Sequence, residues 1–235
     1  MILAAHQPCY LPKLSFFYKM AQADVFVLTD DFQYTTHNFI NRTQIKTVRG
    51  AAWLTVPVLT KGHRSESIRE TLIDSSQNWQ RKHWRALSVN YACSAYFEQY
   101  ADFFEEIYLS RKWKYLVDLN LKLIEFAKKM LNLSTKIVLS SDLNLKDNGS
   151  ILLAKMSTAF NCTTYLAERK FENYLDRKLF SEKEIELNFF SYKSPKYYQL
   201  FGDFASGLSI VDIIFNEGMD SRELITKCKN DIEGR

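Results

Sequence analysis

One stretch near the start of the chain decides the fold: residues 2–29, ILAAHQPCYLPKLSFFYKMAQADVFVLT. Residues 2–5 are a short apolar run of the kind that forms a buried strand. From Leu14 the apolar residues recur at helical spacing, and residues 24–29 form a second strand-like run. A strand, a helix and a second strand in this order favour a parallel sheet, whose ligands bind beyond the carboxyl ends of the strands.

The rest of the chain continues this alternation of strands and helices. Two β-rich runs on either side of Arg49-Gly50 predict a hairpin at 41–58. Further strands are expected at 68–73, 136–139, 163–167 and 185–191, and helices at 77–92, 96–108, 113–131, 148–160, 176–180 and 208–216. We therefore expect a single α/β domain over residues 1–231, with a mostly parallel sheet, a β-hairpin and a helical insertion near 77–131. The last four residues, Ile232-Glu233-Gly234-Arg235, are typical of a protease site left by an expression vector.

The composition excludes several function classes. Glycine and proline number only 7 and 4 among 235 residues, and no glycines are spaced as in nucleotide-binding phosphate loops. The net charge is +4 without a block of like charges, so we expect no nucleic-acid partner, whereas a small anionic ligand is compatible. The four cysteines lack the spacing of zinc ligands or of a disulfide framework. Reduced thiols, no metal and no cofactor are therefore expected.

Hydropathy indicates a cytoplasmic location. No apolar run approaches the roughly 18 residues that span a bilayer, so no transmembrane segment is expected. The first six residues also lack the basic and apolar regions of a secretory signal.

His6 is the strongest candidate for a functional side chain. It follows the first predicted strand directly, and Pro8 and Pro12 stiffen its loop, as a preorganised site requires. Because the ordinary pKa of histidine is about 6.5, His6 could act as an acid, a base or an anion ligand. The alternative is a loop histidine that hydrogen-bonds its own turn. Cys9 could form a nucleophilic pair with His6, although the spacing does not require the two side chains to meet.

Other polar residues carry weaker signals. Asp30-Asp31 follows the second strand and should face the same crevice as His6 and Gln7, to bind a metal or a hydroxyl, or simply to cap a turn. Asn41-Arg42 combines an amide with a forked cation suited to phosphate or carboxylate, or is an ordinary surface pair.

Two further signals lie on predicted helices. His83 shares a helix face with Trp79 and Leu87, where a histidine is usually structural. Ser209 can cap the last predicted helix, with Asp212 completing a pair that resembles a capping box.

Together these residues resemble the pattern of the WbqC-like family. The most specific part is the motif His6-Gln7-Pro8-x-Tyr10-Leu11-Pro12, which is followed by a helix. The other matches occur in the expected order along nearly the whole chain: Ala23-Asp24-Val25-Phe26-Val27, Asp30-Asp31-x-Gln33-Tyr34, Asn41-Arg42, Trp53-Leu54-Thr55-Val56-Pro57-Val58, Lys82-His83, Tyr165-Leu166, Tyr174-Leu175-Asp176, Tyr198-Gln199 and Leu208-Ser209-Ile210-Val211-Asp212.

One segment departs from the family pattern. The family commonly carries a small, glycine-rich stretch after the Tyr-Leu strand, whereas this chain has Ala167-Glu168-Arg169-Lys170-Phe171-Glu172. Bulky charged side chains there would change how closely a ligand can approach the backbone. We therefore expect the substrate choice, or the activity, to differ from that of relatives. Position 9 varies in the family, which weakens Cys9 as a nucleophile.

The resemblance implies a cytosolic protein of bacterial surface-polysaccharide (O-antigen) biosynthesis that acts on a sugar nucleotide or on an acyl or aminoacyl donor. Our leading hypothesis is a transferase that N-acylates or N-aminoacylates a nucleotide-linked amino sugar. The donor would be a thioester of coenzyme A or of an acyl-carrier protein.

Roles for individual residues follow from this hypothesis. His6 is the expected general base, Asp30 would hold the ammonium or a hydroxyl, and His83 is a second candidate base. Arg42 and Lys82 would meet the diphosphate. The full set of expected substrate-binding residues is Gln7, Tyr10, Gln33, Asn41, Arg42, Lys82, Tyr165 and Asp176.

Two alternatives stay open. Some nucleotidyltransferases begin with a similar strand, histidine-containing loop and helix, but they grip phosphates with two histidines, and this chain has Cys9 where the second would stand. A non-catalytic sugar- or nucleotide-binding scaffold in a biosynthetic complex would bind the same ligands without forming a product.

Overall fold

A computed structural model describes residues 1–59 and 66–227 and the backbone of 232–233. The first strand, β1 (Ile2–His6), leads through a loop into helix α1 (Leu14–Ala21) and then into β2 (Val25–Leu28). The two strands pair in parallel, with His6 level with Leu28. The strand–helix–strand unit predicted from residues 2–29 is therefore confirmed.

The remaining strands complete a main sheet and a separate hairpin. They are β3 (Arg42–Thr47), β4 (Gly50–Thr55), β5 (Lys136–Leu139), β6 (Thr164–Glu168), β7 (Glu186–Phe190) and β8 (Ile232–Glu233). The main sheet has the order β5-β2-β1-β6-β7-β8, and β3 pairs only with β4. Five of its strands run parallel, and β8 pairs antiparallel with β7. The predicted α/β class, the mostly parallel sheet and the hairpin are confirmed.

Eight α-helices lie in the described part of the chain. After α1 they are α2 (Trp79–Tyr91), α3 (Phe97–Glu105), α4 (Leu116–Met130), α5 (Gly149–Ala159), α6 (Arg177–Ser181), α7 (Ile210–Glu217) and α8 (Ser221–Thr226). Helices α2 to α4 form the predicted insertion between the hairpin and β5. No helix among these residues is long and apolar enough to cross a membrane.

The two faces of the sheet bury different cores. Alternate residues of a strand point to opposite faces. Ala4 of β1 joins a large core that also contains residues of α1, the insertion and α7. Leu3 and Ala5 join a smaller core with α5 and α6. The sheet therefore has helices on both faces, and it leaves the carboxyl ends of its strands free to carry polar groups.

Residues 68–73 are not the predicted strand. Ile68–Glu70 is a single 3-10 turn, because Ser67 and Glu70 form a capping box that fixes a helical start. Only isolated bridges follow, from Leu72 to Tyr115 and from Ile73 to Val58.

The last four residues were expected to be a vector remnant outside the domain. The backbone of Ile232–Glu233 pairs with Phe189 and Phe190 of β7. Gly234 and Arg235 lie outside the described residues, and the remnant stays a prediction.

Candidate active site

The order of the strands marks one crevice. From β1 the chain crosses by α1 to β2 on one side, whereas β6 and β7 lie on the other side of β1. Open parallel sheets bind ligands outside the carboxyl ends of the strands where the order reverses in this way. Here that point lies between the ends of β1 and β6, at His6 and Glu168.

A cavity of about 440 Å³ opens beside this point, and we call it the aromatic cavity. Its polar wall is formed by the end of β1 and the middle of α1, with His6, Gln7 and Lys19. Four aromatic side chains also line the cavity, from Phe32, Tyr165, Phe171 and Tyr174. The full lining is Ala5, His6, Gln7, Lys19, Thr29, Phe32, Asn38, Gly149, Ser150, Leu153, Tyr165, Ala167, Phe171, Tyr174 and Leu175.

His6 is held as a neutral imidazole with a defined proton. Its Nδ1 lies 2.9 Å from the carbonyl oxygen of Gln7. Because a carbonyl oxygen can only accept, Nδ1 carries the ring hydrogen and Nε2 keeps a free lone pair. The ring packs edge-on against Phe16, with centroids 5.0 Å apart. Burial, assisted by the charge of Lys19, lowers the pKa of His6 to about 4. At neutral pH the His6 imidazole is therefore unprotonated, and burial makes it a weaker base than an exposed histidine.

Lys19 is a site residue that the sequence analysis missed. Its side chain is buried in α1, and its Nζ donates a 2.8 Å hydrogen bond to the carbonyl of Ala5. Burial lowers the pKa of Lys19 to about 8. The sequence signal for Lys19 was its place between the apolar residues Tyr18 and Met20, in a helix that is mostly buried.

Glu168 and Lys170 are also missed residues, and they lie in the segment that departs from the family pattern. They form an ion pair at the end of β6. Burial alone would raise the pKa of Glu168, but the hydrogen bond and charge of Lys170, with the charges of Lys19 and His6, lower it. Since Glu168 and Lys170 also act on the pKa of His6, the segment after β6 is electrically part of the site.

Cys9 does not have the properties of a nucleophile. Its Sγ is 3.9 Å from Nδ1 of His6, and its side chain is buried. Burial, with the charge of Glu168, raises the pKa of the Cys9 thiol to about 12. The thiolate, which is the reactive form, is therefore disfavoured at neutral pH.

Asp30 lies after β2 as expected, but its carboxylate is occupied. Oδ1 accepts hydrogen bonds from the Ser140 hydroxyl at 3.2 Å and from the Ser141 amide at 3.0 Å, and Oδ2 accepts one from the Ser141 hydroxyl at 2.8 Å. The side chain is buried. Asp30 therefore tethers the turn after β5, as the capping alternative expected.

His83 and Tyr10 lie together in the core of the insertion. Nδ1 of His83 is 2.8 Å from the Tyr10 hydroxyl, which is also hydrogen-bonded to the hydroxyl of Tyr108. The ring packs edge-on against Trp79, and burial lowers the pKa of His83 to about 4 in spite of a hydrogen bond to the Thr55 backbone. Neither His83 nor Tyr10 belongs to the described lining of the aromatic cavity. Both residues therefore have the contacts of structural core residues, which was the alternative stated for His83.

Four of the other expected substrate-binding residues also lie off the cavity. Asn41 is buried and donates to the carbonyl of Val56 at 2.9 Å. Arg42 donates to the carbonyl of His37 and covers the ring of Trp53, 4.4 Å from its centroid. Lys82 is exposed on α2, and Gln33 is exposed where it bridges to Ser67.

Asp176 and Tyr165 flank the cavity in different ways. Asp176 caps α6 by accepting from the amides of Lys178 and Leu179. Tyr165 is buried in β6 and lines the cavity directly. Of the site residues expected from sequence, the structure thus brings His6, Gln7 and Tyr165 together.

A second polar cluster lies in the core around Asp212. Ser209 caps α7 as predicted, but Asp212 does not complete a capping box. Its buried carboxylate instead accepts from the hydroxyls of Tyr91 at 2.7 Å and Tyr197 at 2.6 Å and from the amide of Gln199 at 2.9 Å. These bonds join α7 to α2 and to the loop before α7. The cluster is structural, and none of its members lines the aromatic cavity.

Comparison with known proteins gives one family and one relative. A family model described as "WbqC-like protein family" matches residues 7–224. The chain is 36% identical over 228 residues to the uncharacterized protein Rv1507c of Mycobacterium tuberculosis. The aligned residues cover 97% of this chain and 98% of that protein. No solved structure gives a significant match. Within the described residues, no three His, Cys, Asp or Glu side chains are grouped as metal ligands would be.

Proposed function

The chain belongs to the WbqC-like protein family, and from this premise we propose that it is a transferase of bacterial surface-polysaccharide biosynthesis. It moves an acyl or aminoacyl group from a thioester onto the amino group of a nucleotide-linked amino sugar. One observation carries the proposal: His6 lines a cavity at the strand-order reversal, and the carbonyl of Gln7 places its ring proton on Nδ1, which leaves Nε2 unprotonated.

The chemistry requires a base of this kind. The sugar nitrogen attacks the thioester carbonyl carbon, so a C–N bond forms and the C–S bond breaks. The nitrogen loses one proton, which His6 accepts at Nε2 and then passes to the departing thiolate. A positioned base of this type contributes roughly 10²–10⁴-fold to the rate.

The charge of Lys19 makes the His6 imidazole a weaker base but helps to keep the amine of the substrate unprotonated. A cation beside His6 stabilises the neutral imidazole and disfavours a bound ammonium. It therefore favours the free amine, which is the form that attacks. Lys19 stays in place because its Nζ is held by the carbonyl of Ala5.

The aromatic rings of the cavity suit the apolar faces of a sugar ring. Phe171 and Tyr174 are 44% and 80% exposed, so both rings keep free surface that can cover a ligand. Asp30 and His83 receive no catalytic role in this proposal, because both are fully engaged elsewhere.

The test is turnover of nucleotide-linked amino sugars with coenzyme A or carrier-protein thioesters, followed by mass spectrometry. We expect His6→Ala to lower kcat by about 10²–10⁴-fold, and added imidazole to restore part of the rate. His37→Asn is the matched control, since this exposed histidine has a positive φ of 62° that asparagine tolerates. Equal turnover by His6→Ala would remove His6 from the mechanism. Ligand binding without any product would instead favour a non-catalytic sugar- or nucleotide-binding protein.

A further inference from the structure

A second cavity lies on the other side of the segment that follows β6. It has a volume of about 670 Å³, and we call it the basic cleft. The consecutive residues Ala167 and Glu168 line the aromatic cavity and the basic cleft respectively. The ends of β6 and β7 and the start of α1 form its walls. The two cavities are therefore neighbours around one strand end.

The lining of the basic cleft is rich in positive charge. Lys13, Arg169, Lys170 and Lys193 line it, with Glu168 as the one carboxylate among its lining residues. Two other clefts described in this structure are balanced or acidic. One is lined by Arg177, Glu184 and Glu186, and the other by Arg222, Lys227, Asp220 and Glu223. A further cleft is lined by Lys128, Lys129 and Glu125.

Two of the positive groups form ion pairs, Arg169 with Glu172 and Lys170 with Glu168. Glu168 is committed to Lys170, whereas the ammonium of Lys13 lies over the Phe39 ring, 3.8 Å from its centroid. Burial and the charge of Lys170 lower the pKa of Lys13. Two cations that repel each other in a concave site favour an anion between them.

Neutral groups in the cleft also suit phosphate oxygens. Four serine hydroxyls line it, from Ser15, Ser191, Ser194 and Ser206. Helix α1 starts at its wall, and within the described part of the chain no side chain caps that helix and no acid occupies its first turn. The positive end of the helix dipole is therefore left for a ligand.

We infer that the basic cleft binds the phosphate chain of an organic phosphate whose reacting end reaches His6 in the aromatic cavity. The part of the inference that concerns the reaction at His6 rests on the proposed function. Binding of the phosphate chain in the basic cleft does not depend on it. A nucleotide sugar and coenzyme A both carry a diphosphate, so this chemistry is shared by acceptor and donor. Lys13 and Lys170 then replace Arg42 and Lys82 as the residues that meet it.

Calorimetric titration with UDP, coenzyme A and inorganic pyrophosphate tests the cleft without turnover. We expect Lys13→Ala and Lys170→Ala each to weaken binding by roughly tenfold or more, and affinity to fall as salt rises. Lys129→Ala, on the exposed end of α4, is the matched control and should bind as the unaltered protein does. Far-UV circular dichroism and melting temperatures check that each variant is folded.

The ligands distinguish the two sources of the diphosphate. Tighter binding of UDP than of coenzyme A would place the sugar nucleotide in the cleft, and the reverse order would place the thioester donor there. No binding of any probe, or weakening by Lys82→Ala but not by Lys13→Ala and Lys170→Ala, would overturn the inference.

Failure of the site and failure of the proposed function give different results. His6→Ala should bind pyrophosphate normally, because pyrophosphate has no reacting end to reach His6, which does not line the basic cleft. Binding that depends on Lys13 without turnover of any substrate pair would support the cleft and overturn the transferase. Turnover with unchanged KM in both lysine variants would support the transferase and overturn phosphate binding in the basic cleft.

Discussion

Burial decides what the polar residues of the crevice can do. His6 and Cys9 are neighbours in one loop, yet burial moves their pKa values in opposite directions, to about 4 and about 12. Both side chains are therefore neutral at pH 7. For the imidazole this leaves a neutral ring that is a weak proton acceptor, whereas for the thiol it removes the nucleophilic form.

Cysteine labelling tests this contrast. We expect iodoacetamide at pH 8 to modify Cys93 in the folded protein and to leave Cys9 and Cys162 unmodified, because Cys93 is exposed and the other two are buried. Peptide mapping by mass spectrometry measures the modification. Unfolding in urea should make Cys9 and Cys162 reactive as well, which serves as the control. Rapid labelling of native Cys9 would show that its thiolate is populated and would restore it as a candidate nucleophile.

The site residues that only the structure identified come from distant parts of the sequence. Lys19 and Glu168 come from α1 and from the end of β6, far apart in sequence, and meet beside His6. Glu168 was noticed in the sequence only because it replaces an expected glycine-rich stretch. No local pattern states that these charges share a site with His6, since their meeting depends on the pairing of β1 with β6.

At the scale of elements, the Asp212 cluster holds the loop before α7. Asp212 is fully buried, and burial raises its pKa in spite of its three hydrogen bonds. Gln199 also accepts from the amide of Ala205 and donates to its carbonyl. The residues after β7 thus stay against α7, on the side where Ser206 and Gly207 reach the basic cleft.

Adjacent tyrosines offer a matched test of this cluster. Tyr197→Phe removes the 2.6 Å bond to Asp212 and should lower the free energy of unfolding by about 1–3 kcal/mol. Tyr198→Phe should leave it nearly unchanged, because the Tyr198 side chain is 67% exposed. Urea unfolding of both variants measures the difference. Equal stability of the two would mean that the Asp212 cluster does not hold the loop.

Most elements could be predicted from the sequence because their signals are local. Apolar spacing located α1, α2 and α4, and the turn at Arg49-Gly50 located the hairpin. Residues 68–73 were the exception. The apolar residues Ile68, Leu72 and Ile73 do not alternate as in a strand, the Ser67–Glu70 capping box starts a helical turn, and only isolated bridges follow.

At the scale of the whole molecule, two buried neutral histidines link stability to pH. The pKa values of His6 and His83 are about 4 in the folded chain, against 6.5 ordinarily. The unfolded chain therefore binds more protons than the folded chain between these limits. The stability that both residues contribute is present above about pH 6.5 and is lost as the pH falls to about 4.

Urea unfolding across this pH range tests the linkage. We expect the free energy of unfolding to fall by a few kcal/mol between about pH 6.5 and pH 4. The fall should be smaller in His6→Gln and in His83→Gln, whereas the other titrating groups contribute equally to all three proteins. An unchanged pH dependence in either variant would show that the corresponding histidine titrates alike in both states.

The sequence by itself determined most of the order of strands and helices and the parallel sheet, and it singled out His6 as a candidate. These follow from hydrophobic periodicity and from a proline-stiffened loop, which are properties of neighbouring residues. Only the tertiary structure decided which side chains meet. It placed His83, Asp30 and Asn41 in structural hydrogen bonds, and it gathered Lys19, Glu168 and Lys170 around His6. The physical reason is that burial and electrostatic pairing depend on which strand ends lie side by side, and no local pattern encodes that.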